Sequence, residues 1–321
     1  MPEEIIEEQI VVPDAMAGSR LDRVAAELFP DYSRVRLQDW IRAGELTVDG
    51  RVLRPREKLL GREMLRLRTR QESRAEGDWT AEQLGLDILY EDEDLLIINK
   101  PAGLVVHPAA GNRSGTLLNG LLHHDPSLER LPRAGIIHRL DKDTTGLMVV
   151  ARSLRAHTAL VRQLQDRSVR RQYMAVVCGV PTGGGCVDAP LGRHPVNRKK
   201  QAVVDTGKPA VTHYRLLERY RHHSLLQVRL ETGRTHQIRV HMAHIRYPLV
   251  GDPVYGRRLA LPPGATDGLV EQLKIFPRQA LHAGLLGLRH PADGRRCEWE
   301  VDVPEDMQNL LRALREDADV A

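Results

Sequence analysis

Cysteine is scarce and unpatterned in this chain: there are three, Cys178, Cys186 and Cys297. An odd number without a Cys-x-x-Cys step argues against both a disulfide framework and a thiolate zinc site, and makes a reducing cytoplasm the expected compartment. No apolar run approaches the length of a membrane helix, so no span is expected. The N-terminus carries Glu3, Glu4, Glu7 and Glu8, which fits neither a secretory signal nor a transit peptide. A Walker-type phosphate loop is missing, so no nucleotide cofactor is expected, and no His-Glu-x-x-His occurs. His236, His241 and His244 do not make up for it, because a five-residue step fails to align two histidines on a helix; no metal is expected. Internal repeats and low-complexity segments are lacking too.

What is present is a soluble composition, 41% hydrophobic and 28% charged, over 321 residues, which is long enough for two domains. The net charge of +4 is unevenly spread. Residues 1–17 hold five acidic and no basic side chains, whereas residues 18–70 hold 13 Lys or Arg against 8 Asp or Glu. A basic module behind an acidic tail is a nucleic-acid footprint. Seven of the 47 basic residues are lysine, so part of the arginine preference is compositional.

Residues 18–75 read as one small domain. Ser19 is expected to cap a helix carrying Leu21, Val24, Ala25 and Leu28, ended by Pro30. Ser33 is expected to cap a second helix with Val35, Leu37, Trp40 and Ile41, closed by Gly44. Asp49-Gly50 between two short β-branched runs predicts a hairpin, and Met64-Leu65-Arg66-Leu67-Arg68 a closing strand. A polar stretch then supplies a linker, placed at residues 76–85. From residue 86 to 321 strands dominate, with helices expected at 117–122, 154–164 and after Pro304, so this part is α+β with a largely antiparallel mixed sheet.

The densest chemistry lies in Gly135-Ile136-Ile137-His138-Arg139-Leu140-Asp141-Lys142-Asp143-Thr144-Thr145-Gly146, followed by the apolar run 147–151. A polar loop between buried strand ends sits on a rigid scaffold, where reactive side chains tend to be placed. Two further segments stand out far along the chain: Val169-Arg170-Arg171-Gln172-Tyr173-Met174-Ala175-Val176, and Leu230-Glu231-Thr232-Gly233-Arg234-Thr235-His236-Gln237-Ile238-Arg239-Val240-His241.

In this order the three segments resemble the motifs of the RluA-type pseudouridine synthases, and the helix–helix–hairpin module with Arg20-Leu21-Asp22, Ser33-Arg34 and Val48-Asp49-Gly50 resembles the S4 RNA-binding domain. The resemblance covers nearly the whole chain. It implies that Asp141 is the catalytic carboxylate, Tyr173 the active-site tyrosine and Arg239 the arginine that pairs with the aspartate. Converting uridine to pseudouridine breaks C1′–N1, turns the base and joins C1′ to C5. A carboxylate at the sugar needs a neighbouring cation, and a proton must later leave C5.

The target must also leave its stack. Arg139 is expected to fill the vacated space, His138 to orient the loop, and Ile238 to wall the ring. Lys100, Asn197 and Arg198 are expected RNA contacts near the site, and Arg23, Arg34, Arg36 and Arg42 phosphate contacts of the S4 module. Within the family, further segments at 248–256 and 278–283 are similar to synthases that modify the 23S ribosomal RNA stem-loop at the subunit interface. That implies ribosomal RNA as the partner, within pre-50S particles, for a monomer without cofactor. The competing expectations are a non-catalytic S4-type assembly factor, or a family member acting on other rRNA or tRNA uridines.

Overall fold

A computed structural model describes residues 5–29, 32, 34–70, 79–108, 112–197, 200–256 and 261–320. The chain divides into two compact units, residues 1–77 and 78–321.

In the first unit, strand β1 (Ile5–Val11) precedes helices α1 (Leu21–Leu28) and α2 (Arg34–Ala43), then strands β2 (Leu46–Val48) and β3 (Met64–Arg70). The three strands form an antiparallel sheet in the order β1-β3-β2. The acidic segment read as a tail therefore contributes a strand, because alternating Glu8 and Ile10 pair across to Leu67 and Leu65. Leu21, Val24, Ala25, Leu37, Ile41, Leu46, Leu65 and Leu67 fill the core, one face from each element.

Two local expectations fail for one reason. Ser19 does not cap α1, whose N-cap is Arg20 without a side-chain bond. Its first amides are satisfied by the main chain of residues 55–57 instead: Leu21 donates to the Glu57 carbonyl and Asp22 to that of Pro55. Residues 51–59 are thus occupied as a backbone cap. Asp49 and Gly50, both with positive φ, close a tight turn, but only Val48 and Arg51 pair across it and β2 finds its partner in β3. Gly44, at φ 76°, ends α2 as expected, whereas Pro30 and Ser33 lie outside the described residues.

The second unit contains β4 (Ile88–Glu91), β5 (Leu95–Lys100), α3 (Leu117–His124), β6 (Thr145–Ala151), α4 (Leu154–Gln165), β7 (Arg170–Cys178), β8 (Gly185–Asp188), β9 (Leu191–Arg193), β10 (Gln201–Val203), β11 (Val211–Arg219), β12 (His223–Leu230), α5 (Gln237–His244), α6 (Asp267–Ile275), β13 (Leu281–Arg289), β14 (Arg296–Glu300) and α7 (Glu305–Asp319). The described strands build one large sheet in the order β4-β5-β6-β13-β7-β12-β11-β8, with β14 on β13, and a separate β9–β10 pair. Only β6 and β13 run parallel. The start of β13 lies between β6 and β7, and its end lies between β7 and β14.

Both faces of the centre are covered. On β6, Met148 and Val150 join Tyr173, Ala175, Ile238 and Met242 beneath α3 and α5, while Leu147, Val149 and Ala151 pack under α4. A strand buried on both faces reads as the continuous apolar run seen in the sequence. Gly146 enters β6 where no side chain fits: a Cβ there would meet the Ala283 carbonyl oxygen at 2.3 Å, and its φ is 109°.

Candidate active site

The loop that precedes β6 is held by its backbone. Lys100, at the end of β5, donates from Nζ to the carbonyls of Pro101 (2.6 Å), Leu104 (3.0 Å) and Lys142 (2.7 Å). Arg278 donates to the Asp143 carbonyl and is itself anchored by Asp306, while the Gln279 amide donates to the Thr144 hydroxyl. Behind the loop, His138 accepts the Val149 amide proton at Nε2, 3.1 Å away. Burial drives the His138 pKa down to about 3 and that of Lys100 down to about 8.

These facts revise the expectation for Lys100. Lys100 is fully buried and spends its ammonium on carbonyls, so it shapes the loop and does not reach RNA. His138 is likewise a loop anchor with its ring nitrogen engaged by β6. Arg139 between them and Asp141 is exposed, with no hydrogen bond or ion pair among the described residues.

Asp141 meets Arg239 across the sheet. Arg239 Nη1 donates to Asp141 Oδ2 at 3.0 Å, and its Nε and Nη2 hold Asp252 at 2.8 and 2.9 Å. Asp252 is buried and also accepts the amides of Val254 and Tyr255. Burial alone would lower the Arg239 pKa and raise that of Asp252; their mutual hydrogen bonds and charges reverse both effects. One guanidinium thus serves two carboxylates, leaving Asp141 Oδ1 without a hydrogen bond among the described residues. Arg239 also lies over the Tyr255 ring, 5.1 Å from its centroid.

Helix α5 delivers this arginine because its start is pinned. Gln237 donates to the Val211 carbonyl and the Thr212 hydroxyl, and accepts from Thr232 and the Arg234 amide. The preceding residue, His236, takes φ 57°, a strained conformation for a side chain larger than glycine. Its Nδ1 lies 2.8 Å from the Tyr255 hydroxyl, and its Nε2 is 3.9 Å from Asp141 Oδ1. The Tyr255 oxygen also accepts the Gln201 amide at 2.9 Å, which fixes the hydroxyl beside the His236 ring. His241 has both nitrogens engaged, by Thr212 and the Ala189 carbonyl.

Tyr173, on β7, and Ile238, on α5, are nearly buried members of one cluster beside the carboxylate. Burial pushes the Tyr173 hydroxyl pKa up. The fold thus gathers Asp141, Tyr173, Ile238 and Arg239 from three distant segments. The basic loop is different: Asn197 is exposed in a turn capped by His194, and Arg198 lies outside the described residues. In the first unit, Arg23 is exposed, Arg34 and Arg20 clamp buried Asp22, Arg36 lies over Trp40, and Arg42 pairs with Asp39. Burial would raise the Asp22 pKa, but hydrogen bonds from Arg20, Arg34 and Gln38 bring it to about 2.

No site role was read from sequence for Asp252, His236 or Tyr255: His236 was weighed only as a metal ligand, and the other two lie in the segment 248–256, noted only for its likeness. Thirteen residues separate Arg239 from Asp252, a spacing without helical or strand periodicity, so only the tertiary fold reveals the pair. Chemically, the site offers a carboxylate with one free oxygen, a fixed counter-charge, and an aromatic and aliphatic wall for a planar ring.

Residues 94–244 match the family model described as RNA pseudouridylate synthase, and residues 19–65 match the S4 domain. A ribosomal large subunit pseudouridine synthase D of Pseudomonas aeruginosa is 60% identical over 98% of this chain and 98% of its own. The protein of that name in Escherichia coli strain K12 is 53% identical over 95% and 94%. Among solved structures, human RNA pseudouridylate synthase domain containing 4 is similar with a TM-score of 0.53 and 28% identity, covering 71% of this chain and 92% of that one.

Proposed function

The chain belongs to the RNA pseudouridylate synthase family and carries an S4 domain, and on that premise we propose that it isomerises uridines of 23S ribosomal RNA with Asp141 as the catalytic carboxylate. The names of the two bacterial relatives support the large ribosomal subunit as the source of substrate. The reading extends to the stem-loop at the subunit interface within pre-50S particles, met in the cytoplasm by a monomer. The S4 unit, with Arg23 and Arg36 exposed on its helices, supplies affinity and register on the phosphate backbone.

The observation that carries the reading is the Asp141–Arg239 contact of 3.0 Å with the second carboxylate oxygen left free. The uridine leaves its stack, Arg139 takes the vacated place, and the base lies against Tyr173 and Ile238. Asp141 Oδ1 then faces the sugar–base junction as C1′–N1 opens, while Arg239 fixes the carboxylate in line. The C5 proton departs after the new carbon–carbon bond forms.

The test compares the wild type with Asp141→Ala on 23S RNA transcripts, mapping pseudouridine and measuring binding separately. The wild type is expected to form pseudouridine, and the variant to bind RNA without product. Equal product from the variant removes Asp141 from the mechanism. Binding without product by the wild type, on every RNA tried, points to a non-catalytic assembly factor.

A further inference from the structure

Arg171 is a buried cation without a counter-ion. It is 7% exposed, its Nε is enclosed without any hydrogen-bond partner, and it forms no ion pair among the described residues. Strand alternation puts it on the same face of β7 as Tyr173 and Ala175, two residues along from the tyrosine. The Tyr173 hydroxyl likewise has no hydrogen bond among the described residues. Above the guanidinium passes Gly233, where a Cβ would stand 2.9 Å from Arg171 Nη1. An unpaired buried charge is costly, so its partner comes from outside the chain. The guanidinium can only donate and the Tyr173 hydroxyl can donate beside it, which favours an acceptor-rich, electron-rich ligand.

We propose that Arg171 is a further catalytic residue, supplying the positive charge that meets the negative charge developing on the uracil oxygens. This rests on the pseudouridine synthase reading above. When C1′–N1 breaks, the bonding pair stays on the base and spreads over N1, O2 and O4. The pair returns as C5 bonds to C1′; C5 then loses its proton and N1 gains one, so the product is an isomer and Arg171 is unchanged. If Asp141 instead adds to the ring, the charge again resides on the uracil oxygens. Arg239 cannot supply this service, because two carboxylates already share it. Arg171 is the cation in reserve beside Tyr173, close enough for its charge to oppose the upward push of burial on the tyrosine pKa.

The test is single-turnover pseudouridine formation at saturating enzyme, alongside RNA affinity and its salt dependence. Arg171→Met should lower the rate on the order of 10²-fold, as for loss of one preorganised charge-stabilising donor, with affinity and salt slope unchanged. Arg171→Lys should recover part of the rate. Arg171→Gln, which keeps a polar side chain without the charge, reads the same effect should the methionine variant fail to fold. Gly233→Ala, which displaces the guanidinium without removing it, should slow the rate in the same direction. A wild-type rate in the neutral variants overturns the proposal, as does a loss confined to affinity and salt slope, which would make Arg171 a phosphate contact. An inactive wild type would instead refute the function on which the proposal rests.

Discussion

Arg239 is bound more completely to Asp252 than to Asp141: two of its nitrogens hold Asp252, at 2.8 and 2.9 Å, and one reaches Asp141, at 3.0 Å. The buried aspartate is therefore the fixed jaw of the clamp, and Asp141, proposed above as the catalytic carboxylate, is the other.

Removing the fixed jaw should damage both folding and chemistry. Asp252→Ala strands a buried guanidinium, an effect of about 3–5 kcal/mol in stability. It also frees Arg239 to swing, so the single-turnover rate should fall roughly 10²-fold through misalignment. Urea unfolding and rapid-quench assays measure the two. Full activity in a stably folded variant would show that Asp141 needs no such alignment.

Lys100→Met should leave RNA affinity unchanged while slowing the reaction, because the ammonium is buried and ties the Lys142 carbonyl. Leaving three carbonyls without their donor should cost about 1–3 kcal/mol. The pH dependence has a definite sign. Between about 8 in the fold and 10.5 in the unfolded chain, Lys100 carries fewer protons folded than unfolded. Its contribution to stability therefore rises with pH through that window. The stability gap between wild type and variant should widen from pH 8 to 10.5, and a flat gap would contradict the placement.

Acid should loosen the catalytic loop through His138. The folded ring stays neutral to about pH 3, whereas the unfolded ring takes a proton near 6.5. Stability from this group is complete above 6.5 and is lost as pH falls towards 3. His138→Gln should unfold less steeply over this range, measured by thermal melts at stepped pH. Parallel profiles would mean that the ring is not held neutral.

The S4 arginines should separate into two kinds. Arg23→Ala should weaken binding evenly across RNA sequences and reduce the slope of log affinity against log salt by about 1. Arg34→Ala should in addition lower the stability of the first unit, because it removes a partner of buried Asp22. Filter binding over a salt series with a parallel melt distinguishes them; equal melts would show that Asp22 does not depend on Arg34.

Much of the second unit was legible because its elements follow local rules. The apolar run of β6, the helix over Leu154–Gln165 and the acidic start of α7 each lie where periodicity and capping place them. Asp141, Tyr173 and Arg239 were legible as residues of motifs. What escaped was whatever the chain supplies at long range: the carbonyl cap that displaced Ser19, the strand made from an acidic tail, and Asp252 behind Arg239. Lys100 shows the same limit in reverse. The resemblance implied an RNA contact, and only the three converging carbonyls reveal it as an interior strut.

β13 pairs with β6 on one side and β7 on the other. The loop bearing Asp141 leads into the first, and Tyr173 sits on the second. β6 and β7 thus stand two interstrand spacings apart, about 9.5 Å, a separation set by main-chain hydrogen bonds. Substitutions in the loops can change which RNA enters and how fast it reacts. The separation of the two strands will stay constant until β13 itself changes its pairing.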